Sequence, residues 1–265
     1  GEAKVTYFIT PRPVTLTPAS DSKPYDGTPL TNSNVTVSGR GFVDGQVTDI
    51  KATGSVTNVS EGKVPNTIEL TKADSFNIYN YAITMNKGEL EITPRPVTLT
   101  SASDSKTYDG TPLEKHEVNV SEGNFVKGEG VAYKFSGSQK DAGSSDNAYE
   151  IDWDKSTAKK DNYKIENKFG TLTINRRTLT ISTDSASKTY DGSDLTASGH
   201  SIDGLVKGET VNFSITGRQK EVGSSDNTYV IDWNKSTAKQ GNYKIENKLG
   251  KLTVTSSGSS SGGSS

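Results

Sequence analysis

The stretch SKTYDGTPL, at Ser105–Leu113, occurs three times in near copy along the chain. SKPYDGTPL stands at Ser22–Leu30 and SKTYDGSDL at Ser187–Leu195, so the copies lie about 82 residues apart. Self-similarity at a fixed period is the sequence signature of a repeat protein, in which each copy is one structural unit. The motif therefore predicts three modules of one fold along the 265-residue chain.

The sequence on either side of the motif aligns in the same three copies. Repeat 1 covers residues 11–93, repeat 2 covers 94–175 and repeat 3 covers 176–255. Residues 1–10 resemble the closing strand of a preceding repeat, and residues 256–265 have the composition of a disordered Ser/Gly linker. Repeats 2 and 3 are nearly identical over their last third, which indicates an internal duplication.

Each repeat opens and closes with an alternating segment rich in Thr and aliphatic residues. The opening segments read PVTLT twice and then TLTIS, and the closing segments read GELEIT, GTLTIN and GKLTVT. Alternation with a period of two is typical of a half-buried strand. One face of the opening strands should be buried, and its members are Val14, Leu16, Val97, Leu99, Leu179 and Ile181.

An Asn-Tyr-x-Ile segment precedes each closing strand and also alternates. A short connection that contains Gly, such as MNKG or NKFG, separates the two segments. Because two strands joined by a short Gly-containing turn usually form a hairpin, we expect these two strands to pair with each other.

No part of the chain shows a sustained apolar pattern of period 3.6, while Gly, Ser, Asn and Pro recur every few residues. This predicts a mainly β fold, a tandem array of three small β-sandwich (Ig-like) or β-grasp-like modules. The connections between repeats, TPRP and NRR, are short and one is stiffened by Pro. Short linkers restrict rotation, so we expect the array to be elongated.

The Tyr-Asp-Gly motif itself is most simply interpreted as structural. Asp-Gly after an extended segment predicts a turn, because Gly accepts positive φ and Asp bonds its own backbone. The Tyr before it should be largely buried and bond main chain, as in a tyrosine corner. The predicted structural residues are Tyr25, Asp26, Gly27, Tyr108, Asp109, Gly110, Tyr190, Asp191 and Gly192.

A covalent alternative rests on the Lys two residues before each motif Tyr. A Lys beside an Asn or Asp in a dry pocket with a protonated acid can form an isopeptide bond. The candidates are Lys23, Lys106 and Lys188 with Asn80, Asn162 and Asn242, and the motif Asp residues as acids. No Glu recurs in all three repeats and the motif Asp is next to a turn, so we expect no such bond.

Composition excludes several other functions. The chain has 30 basic and 32 acidic residues, so it lacks the positive electrostatic field that would attract a nucleic-acid backbone. It has no Cys, which excludes disulfides, Cys-based metal sites and a Cys nucleophile. Ser144–Asn147 and Ser224–Asn227 offer oxygen ligands of the kind Ca²⁺ prefers, but an Asx-rich turn explains them more simply. No catalytic set recurs, so we expect no enzyme activity, no cofactor, no metal, no nucleic-acid partner and no direct membrane insertion.

With the Lys-x-Tyr-Asp-Gly-Thr motif, the Asn-Tyr-x-Ile strand and the Gly-x-Leu-x-Ile strand in hand, residues 11–255 resemble the tandem YDG/MBG-type repeats of bacterial surface adhesins, notably of Gram-positive gut bacteria. The resemblance implies monomeric, extracellular β modules in a protein attached to the cell wall. Such modules form stalks that project a binding region. In the alternative, the repeats themselves bind a host partner such as a mucin glycan or immunoglobulin.

Overall fold

The computed structural model describes residues 1–257; residues 258–265, most of the predicted Ser/Gly linker, lie outside the described residues. The described chain forms 24 strands and six short 3-10 helices. The mainly β prediction is confirmed. A β-grasp fold packs an α-helix on its sheet, and the described part of the chain forms none, so this alternative is not supported. In the same residues no helix is long and apolar enough to cross a membrane.

Each repeat contains eight strands and two 3-10 helices, but the first 3-10 helix lies before the fifth strand in repeat 1 and after the sixth strand in repeats 2 and 3. Repeat 1 contains β1 (Arg12–Pro18), β2 (Asp21–Pro24), β3 (Val35–Gly39), β4 (Val47–Ala52), η1 (Val59–Glu61), β5 (Val64–Pro65), β6 (Ile68–Lys72), η2 (Ile78–Asn80), β7 (Tyr81–Met85) and β8 (Glu89–Thr93). Repeat 2 contains β9 (Arg95–Ser101), β10 (Asp104–Thr107), β11 (Val118–Gly123), β12 (Ala132–Phe135), β13 (Gly143–Asp146), β14 (Tyr149–Asp152), η3 (Trp153–Lys155), η4 (Lys160–Asn162), β15 (Tyr163–Lys168) and β16 (Thr171–Asn175). Repeat 3 contains β17 (Arg177–Thr183), β18 (Ala186–Thr189), β19 (His200–Asp203), β20 (Asn212–Ile215), β21 (Gly223–Asp226), β22 (Tyr229–Asp232), η5 (Trp233–Lys235), η6 (Gln240–Asn242), β23 (Tyr243–Lys248) and β24 (Lys251–Thr255).

The chain divides into two compact units whose boundary runs through repeat 2. The first unit contains residues 1–100, which include repeat 1 and the start of repeat 2, together with residues 119–134 and 150–168 of repeat 2. The second contains residues 101–118 and 135–149 of repeat 2 and everything from Phe169 onwards. Each unit therefore includes one complete repeat and the part of repeat 2 that packs against it. The predicted domain boundaries near residues 93 and 175 stay a prediction.

In the first unit, repeat 1 is built from three small sheets. Strand β1 lies between β3, which is antiparallel to it, and β7, which is parallel. Strand β8 lies between β2, which is parallel to it, and β5, which is antiparallel. Strands β4 and β6 form a separate antiparallel pair. The first two strands thus pair with the last two, which closes the repeat on itself.

The predicted hairpin between the last two strands of each repeat is wrong. Strands β7 and β8 belong to different sheets, because each pairs in parallel with one of the first two strands. Gly88 in their connection does not have a positive φ. A Cβ there would lie 2.6 Å from the carbonyl oxygen of Pro18, so the glycine allows one backbone to pass close to another. The glycine in this connection therefore indicates a close approach of two backbone segments and not a hairpin turn.

The alternating faces predicted for the opening strands are confirmed, since all six side chains are buried. In repeat 1, Val14 and Leu16 form a core with Tyr81 of β7. Side chains from the β4–β6 pair and its neighbourhood cover this core, namely Ile68, Leu70, Phe42 and Phe76. The core of the repeat therefore lies between the β3-β1-β7 sheet and the β4–β6 pair.

The second unit repeats this arrangement. Strand β17 lies between β19 and β23, and β24 lies between β18 and β21. Strands β20 and β22 form the antiparallel pair. From repeat 2 this unit also contains the sheet in which β16 lies between β10 and β13. Leu179 and Ile181 are fully buried, as their counterparts in repeat 1 are.

The predicted closing strand at residues 1–10 does not form a strand in this structure. Its apolar side chains are exposed, among them Tyr7, Phe8 and Ile9. The closing strands of the other repeats pair only with strands of their own repeat. The resemblance of residues 1–10 to such a strand therefore stays a prediction.

Candidate functional site

Each Tyr-Asp-Gly motif is fixed at the end of its own repeat's closing strand. The backbone N–H of Tyr25 donates to the carbonyl of Thr93, at 2.8 Å, and Tyr108 and Tyr190 bond Asn175 and Thr255 in the same way, also at 2.8 Å. These acceptors are the last residues of β8, β16 and β24. The parallel pairing of the second strand with the closing strand therefore brings the motif to the end of its repeat, which in repeats 1 and 2 is the junction at which the next repeat begins.

The Lys, Asp and Gly of the motif form a local turn. In repeat 1, the ammonium of Lys23 donates to Asp26 Oδ1 at 2.9 Å, and the same oxygen accepts from the N–H of Thr28 at 2.9 Å. Gly27 has φ 79°. The Lys23 hydrogen bond, followed by those from Thr28, lowers the pKa of Asp26 to about 2. An acid held ionised in this way could not act as the protonated acid of an isopeptide pocket.

The turn has the same structure in the other two repeats. Lys106 bonds Asp109 at 2.9 Å, and Lys188 bonds Asp191 at 2.7 Å. The pKa of each of these carboxyls is lowered, mainly by the Thr111 hydroxyl for Asp109 and by Lys188 for Asp191. Gly110 and Gly192 have φ values of 82° and 80°, as the turn prediction requires.

The side chain of Tyr25 is buried by the next repeat. Its hydroxyl donates to Glu129 Oε2 at 2.9 Å, and its ring packs edge-on to Tyr163 with centroids 5.5 Å apart. Arg95, at the start of repeat 2, donates to the carbonyl oxygen of Tyr25 at 3.2 Å. A Cβ on Gly27 would lie 3.1 Å from Val126. All these residues belong to the first compact unit.

Tyr108 makes the corresponding Tyr and Glu contacts with repeat 3, within the second compact unit. Its hydroxyl donates to Glu209 Oε1 at 3.0 Å, and its ring lies edge-on to Tyr243 with centroids 5.7 Å apart. The hydroxyl of Tyr243 donates to the other oxygen of Glu209. One carboxylate therefore accepts from two phenols, one on each side of the repeat junction. We call each such set of contacts a Tyr–Glu joint.

The pKa values of the buried tyrosines in the joints are raised. Burial, followed by the hydrogen bond to Glu129, raises the pKa of Tyr25 to about 12. Burial and the hydrogen bond to Glu209 raise the pKa of Tyr108 and of Tyr243 to about 12. The phenols thus keep their protons near neutral pH and remain donors to the carboxylates.

A second contact in each joint uses the Asn of the Asn-Tyr-x-Ile segment. Asn162 Oδ1 accepts from the N–H of Val59 at 2.9 Å, and Asn242 Oδ1 accepts from the N–H of Ala142 at 2.7 Å. The amide of Asn242 also donates to Asp141 Oδ1 at 3.0 Å. Both Asn side chains are buried. Each therefore caps a backbone N–H of the preceding repeat.

The comparison with protein families adds one finding to this geometry. Residues 175–249 match the YDG domain. The match covers most of repeat 3, including its motif, so this segment is a YDG-type repeat. Repeats 1 and 2 carry the same motif, and repeat 2 also has the same order of elements as repeat 3. A search of the curated proteins found no match to the chain.

The expected burial of the motif Tyr is confirmed in two of the three copies of the motif and wrong in the third. Tyr25 and Tyr108 are 7% and 5% exposed, whereas Tyr190 is 44% exposed. The tyrosine-corner interpretation also gave the wrong partner, since the hydroxyls of Tyr25 and Tyr108 bond a carboxylate of the next repeat. Burial comes from the following repeat, and in the described chain no repeat follows Tyr190.

The acceptors Glu129 and Glu209 are not among the residues predicted from the sequence. A signal for them exists in the segments FVDGQ, FVKGE and LVKGE, which stand at the same place in the three repeats. In repeat 1 this place holds Gln46, which accepts a hydrogen bond from Tyr81. The carboxylate is therefore present in the two repeats that receive a buried motif Tyr.

The other candidate residues have structural roles. Asn147 and Asn227, the last residues of the possible calcium segments, are buried, and each amide donates to two backbone carbonyls. Within residues 1–257, no three His, Asp or Glu side chains come together as a metal site would require. In repeat 3, Lys188 bonds Asp191 and Ser193 while Asn242 bonds Ala142 and Asp141, so the proposed isopeptide partners are engaged separately.

Proposed function

We propose that this chain is a non-enzymatic spacer region of a bacterial surface adhesin, in which YDG-type repeats dock end to end. In this role it holds a binding region away from the cell wall. The observation that supports the proposal most is the occurrence of the same Tyr–Glu joint twice, once with Tyr25 and Glu129 and once with Tyr108 and Glu209. A spacer must resist bending at its linkers, and a specific joint beside each linker serves that purpose.

The strength of such a joint is sufficient for modules that are already tethered. A hydrogen bond to a charged group contributes about 1.5–3 kcal/mol, and an edge-on aromatic pair about 0.5–1.5 kcal/mol. Only one residue separates β8, which ends at Thr93, from β9, which begins at Arg95. Because a short linker gives a high effective concentration, contacts of this size favour the docked state.

The absence of catalysis is part of the proposal and is supported by the use of the polar residues. The motif Lys and Asp bond each other in a turn, as Lys106 and Asp109 do at 2.9 Å. Asn242 and Asp141 bond each other within a joint. These polar side chains therefore satisfy one another's hydrogen bonds.

Small-angle scattering on the whole chain tests the spacer proposal. We expect an elongated particle with roughly 30–40 Å for each module, from strand rise and module size. The double variant Tyr25→Ala and Tyr108→Ala should give a broader distribution of distances, because both joints lose their buried ring. Tyr190→Ala is the matched control and should scatter like the natural chain. A compact particle would contradict the proposal.

A cleft that occurs in repeats 1 and 3 favours a second candidate function, the binding of a host partner. In repeat 3 it has a volume of about 280 Å³ and is lined by Tyr229, Trp233 and Asn247 among others. In repeat 1 the cleft has about 330 Å³, and Ile68 and Met85 occupy the places of Tyr229 and Asn247. A partly aromatic cleft with an amide is suited to a sugar ring, such as one of a mucin glycan.

A glycan array and an immunoglobulin pull-down with the natural chain test this second candidate. Val230 lines the cleft of repeat 3 and is 55% exposed, so Val230→Lys should block the cleft without unfolding the repeat. Val120 is 43% exposed and does not line the cleft, which makes Val120→Lys the matched control. Binding that is lost in Val230→Lys but kept in the control would support the cleft as the binding site. If the natural chain binds neither glycans nor immunoglobulin, the second candidate function is contradicted and the spacer function is the one that stands.

A further inference from the structure

The motif of repeat 3 has the local structure of the other two copies, but no neighbouring repeat in the described chain buries its Tyr. Tyr190 bonds Thr255 through its backbone at 2.8 Å, and Lys188 bonds Asp191 at 2.7 Å. Tyr190 is nevertheless 44% exposed. Within the described chain nothing lies within 4 Å of a Cβ placed on Gly192.

The second contact point of a joint is uncovered in the same repeat. Val222 and Glu221 of repeat 3 align with Ala142 and Asp141 of repeat 2. Ala142 and Asp141 bond Asn242 in the joint, and Val222, its counterpart, is 57% exposed. Both halves of the surface that receives a following repeat are therefore formed in repeat 3.

We infer that Tyr190, Gly192, Glu221 and Val222 form a docking surface for one further YDG-type module joined in the same chain. This inference rests on the spacer function proposed above. The occupant is defined by chemistry: a Glu that accepts the phenol proton, a Val that packs over Gly192, and an Asn-Tyr pair. We call these four residues the terminal docking surface.

The position of the chain favours a tethered module over a separate partner. The closing strand β24 ends at Thr255, and its counterparts end at Thr93 and Asn175. In both earlier repeats the next opening strand begins two residues further on, at Arg95 and Arg177. In this chain the Ser/Gly segment 256–265 follows Thr255, so a module joined beyond it is tethered near the terminal docking surface, beside which β24 ends.

The pattern of charge also fits a module of this type. Glu129 and Glu209 occupy the same place in the loops FVKGE and LVKGE, and each accepts the Tyr of the preceding repeat. Val126 and Val206 of these loops lie 3.1 Å from a Cβ placed on Gly27 and on Gly110. The same loop on a further module would bring both a valine and a carboxylate to Tyr190 and Gly192.

A four-module protein tests this inference. A copy of residues 176–255 is joined directly after Thr255, which reproduces the natural junction of Asn175 with Arg176. Nitration of tyrosine, located by mass spectrometry, measures which rings are accessible. In the natural chain we expect Tyr190 to be nitrated and Tyr25 and Tyr108 to be protected. In the four-module protein the extent of nitration of the first Tyr190 should fall at least severalfold.

Two variants keep the test decisive. Glu209→Gln in the added copy alone should restore part of the nitration of Tyr190. Tyr190→Ala should leave the thermal midpoint of the natural chain unchanged and lower that of the four-module protein by at least about 5 °C. Tyr190 that stays reactive in the four-module protein, while Tyr108 stays protected, would overturn this inference alone. Nitration of Tyr108 in the natural chain would instead contradict the spacer joints.

One result would point to a different occupant. Protection of Tyr190 in the natural chain that increases with protein concentration would show that a second copy covers the terminal docking surface. That outcome would also overturn the inference of a tethered module.

Discussion

Replacing the buried Tyr108 by Ala and the exposed Tyr190 by Ala compares the same motif with and without a joint. Tyr108 is 5% exposed and Tyr190 is 44% exposed, although their backbones are anchored alike. Both variants remove the same atoms from the same kind of turn. Any difference between them therefore measures the following repeat rather than the motif itself.

The expected magnitude follows from what each ring contacts. Truncation of a large aromatic side chain in a core costs about 3–5 kcal/mol. Tyr108→Ala also removes the edge contact with Tyr243 and the hydrogen bond to Glu209. Because the joint is bordered by solvent and can relax, we expect about 3 kcal/mol, at the lower end of that range. Tyr190→Ala should stay within about 0.5 kcal/mol, as is usual for exposed positions.

Urea unfolding followed by tryptophan fluorescence measures this difference. The chain has two Trp, and Trp233 packs against the core cluster that includes Tyr108. In a Trp153→Phe background, Trp233 reports on the second compact unit alone. Equal shifts of the unfolding midpoint for Tyr108→Ala and Tyr190→Ala, or no shift for either, would refute the joint.

Three further predictions concern pH, the turn glycines and covalent chemistry. The pKa of Tyr25 and of Tyr108 is raised to about 12, so both tyrosines stabilise the folded chain below pH about 10, and this contribution is lost as pH rises through about 12. Alkaline titration followed by phenolate absorbance should show unfolding between these pH values, and ionisation of both phenols near pH 10 would contradict the prediction. Gly110→Val should destabilise more than Gly192→Val, because both sites have positive φ but only Gly110 faces a valine at 3.1 Å; equal melting temperatures would argue against this. The intact mass should equal the sequence mass, since Lys106 is bonded to Asp109 at 2.9 Å, and loss of ammonia or water per repeat would show an isopeptide bond instead.

The strands and their buried faces could be predicted from the sequence because alternation is a local signal. Val14 and Leu16 are buried as the period of two requires. The pairing of strands could not be predicted in the same way. Gly88 marks a close approach to Pro18, yet in sequence it looks like a turn glycine. Parallel pairing between the first and last strands of a repeat leaves no short-range signal.

The joint could be predicted only in part, because its two halves lie in different repeats. The motif identifies its Tyr as a candidate for burial, but a single repeat does not reveal which neighbour covers it. Glu129 and Glu209 look like ordinary surface acids until the Tyr of the preceding repeat is placed against them. Tyr190, with the same local sequence and a different exposure, shows that the motif does not bury its own ring.

A double-mutant cycle between Tyr108 and Glu209 tests most directly whether the Tyr–Glu joint connects successive repeats. Tyr108→Phe, Glu209→Gln and the double variant are compared with the natural chain by urea unfolding, and the same cycle with Tyr190→Phe in place of Tyr108→Phe is the control. The hydrogen bond of 3.0 Å predicts a coupling free energy of about 1–2 kcal/mol for Tyr108 with Glu209 and none for Tyr190 with Glu209. Equal coupling in both cycles, or none for Tyr108, would contradict the joint.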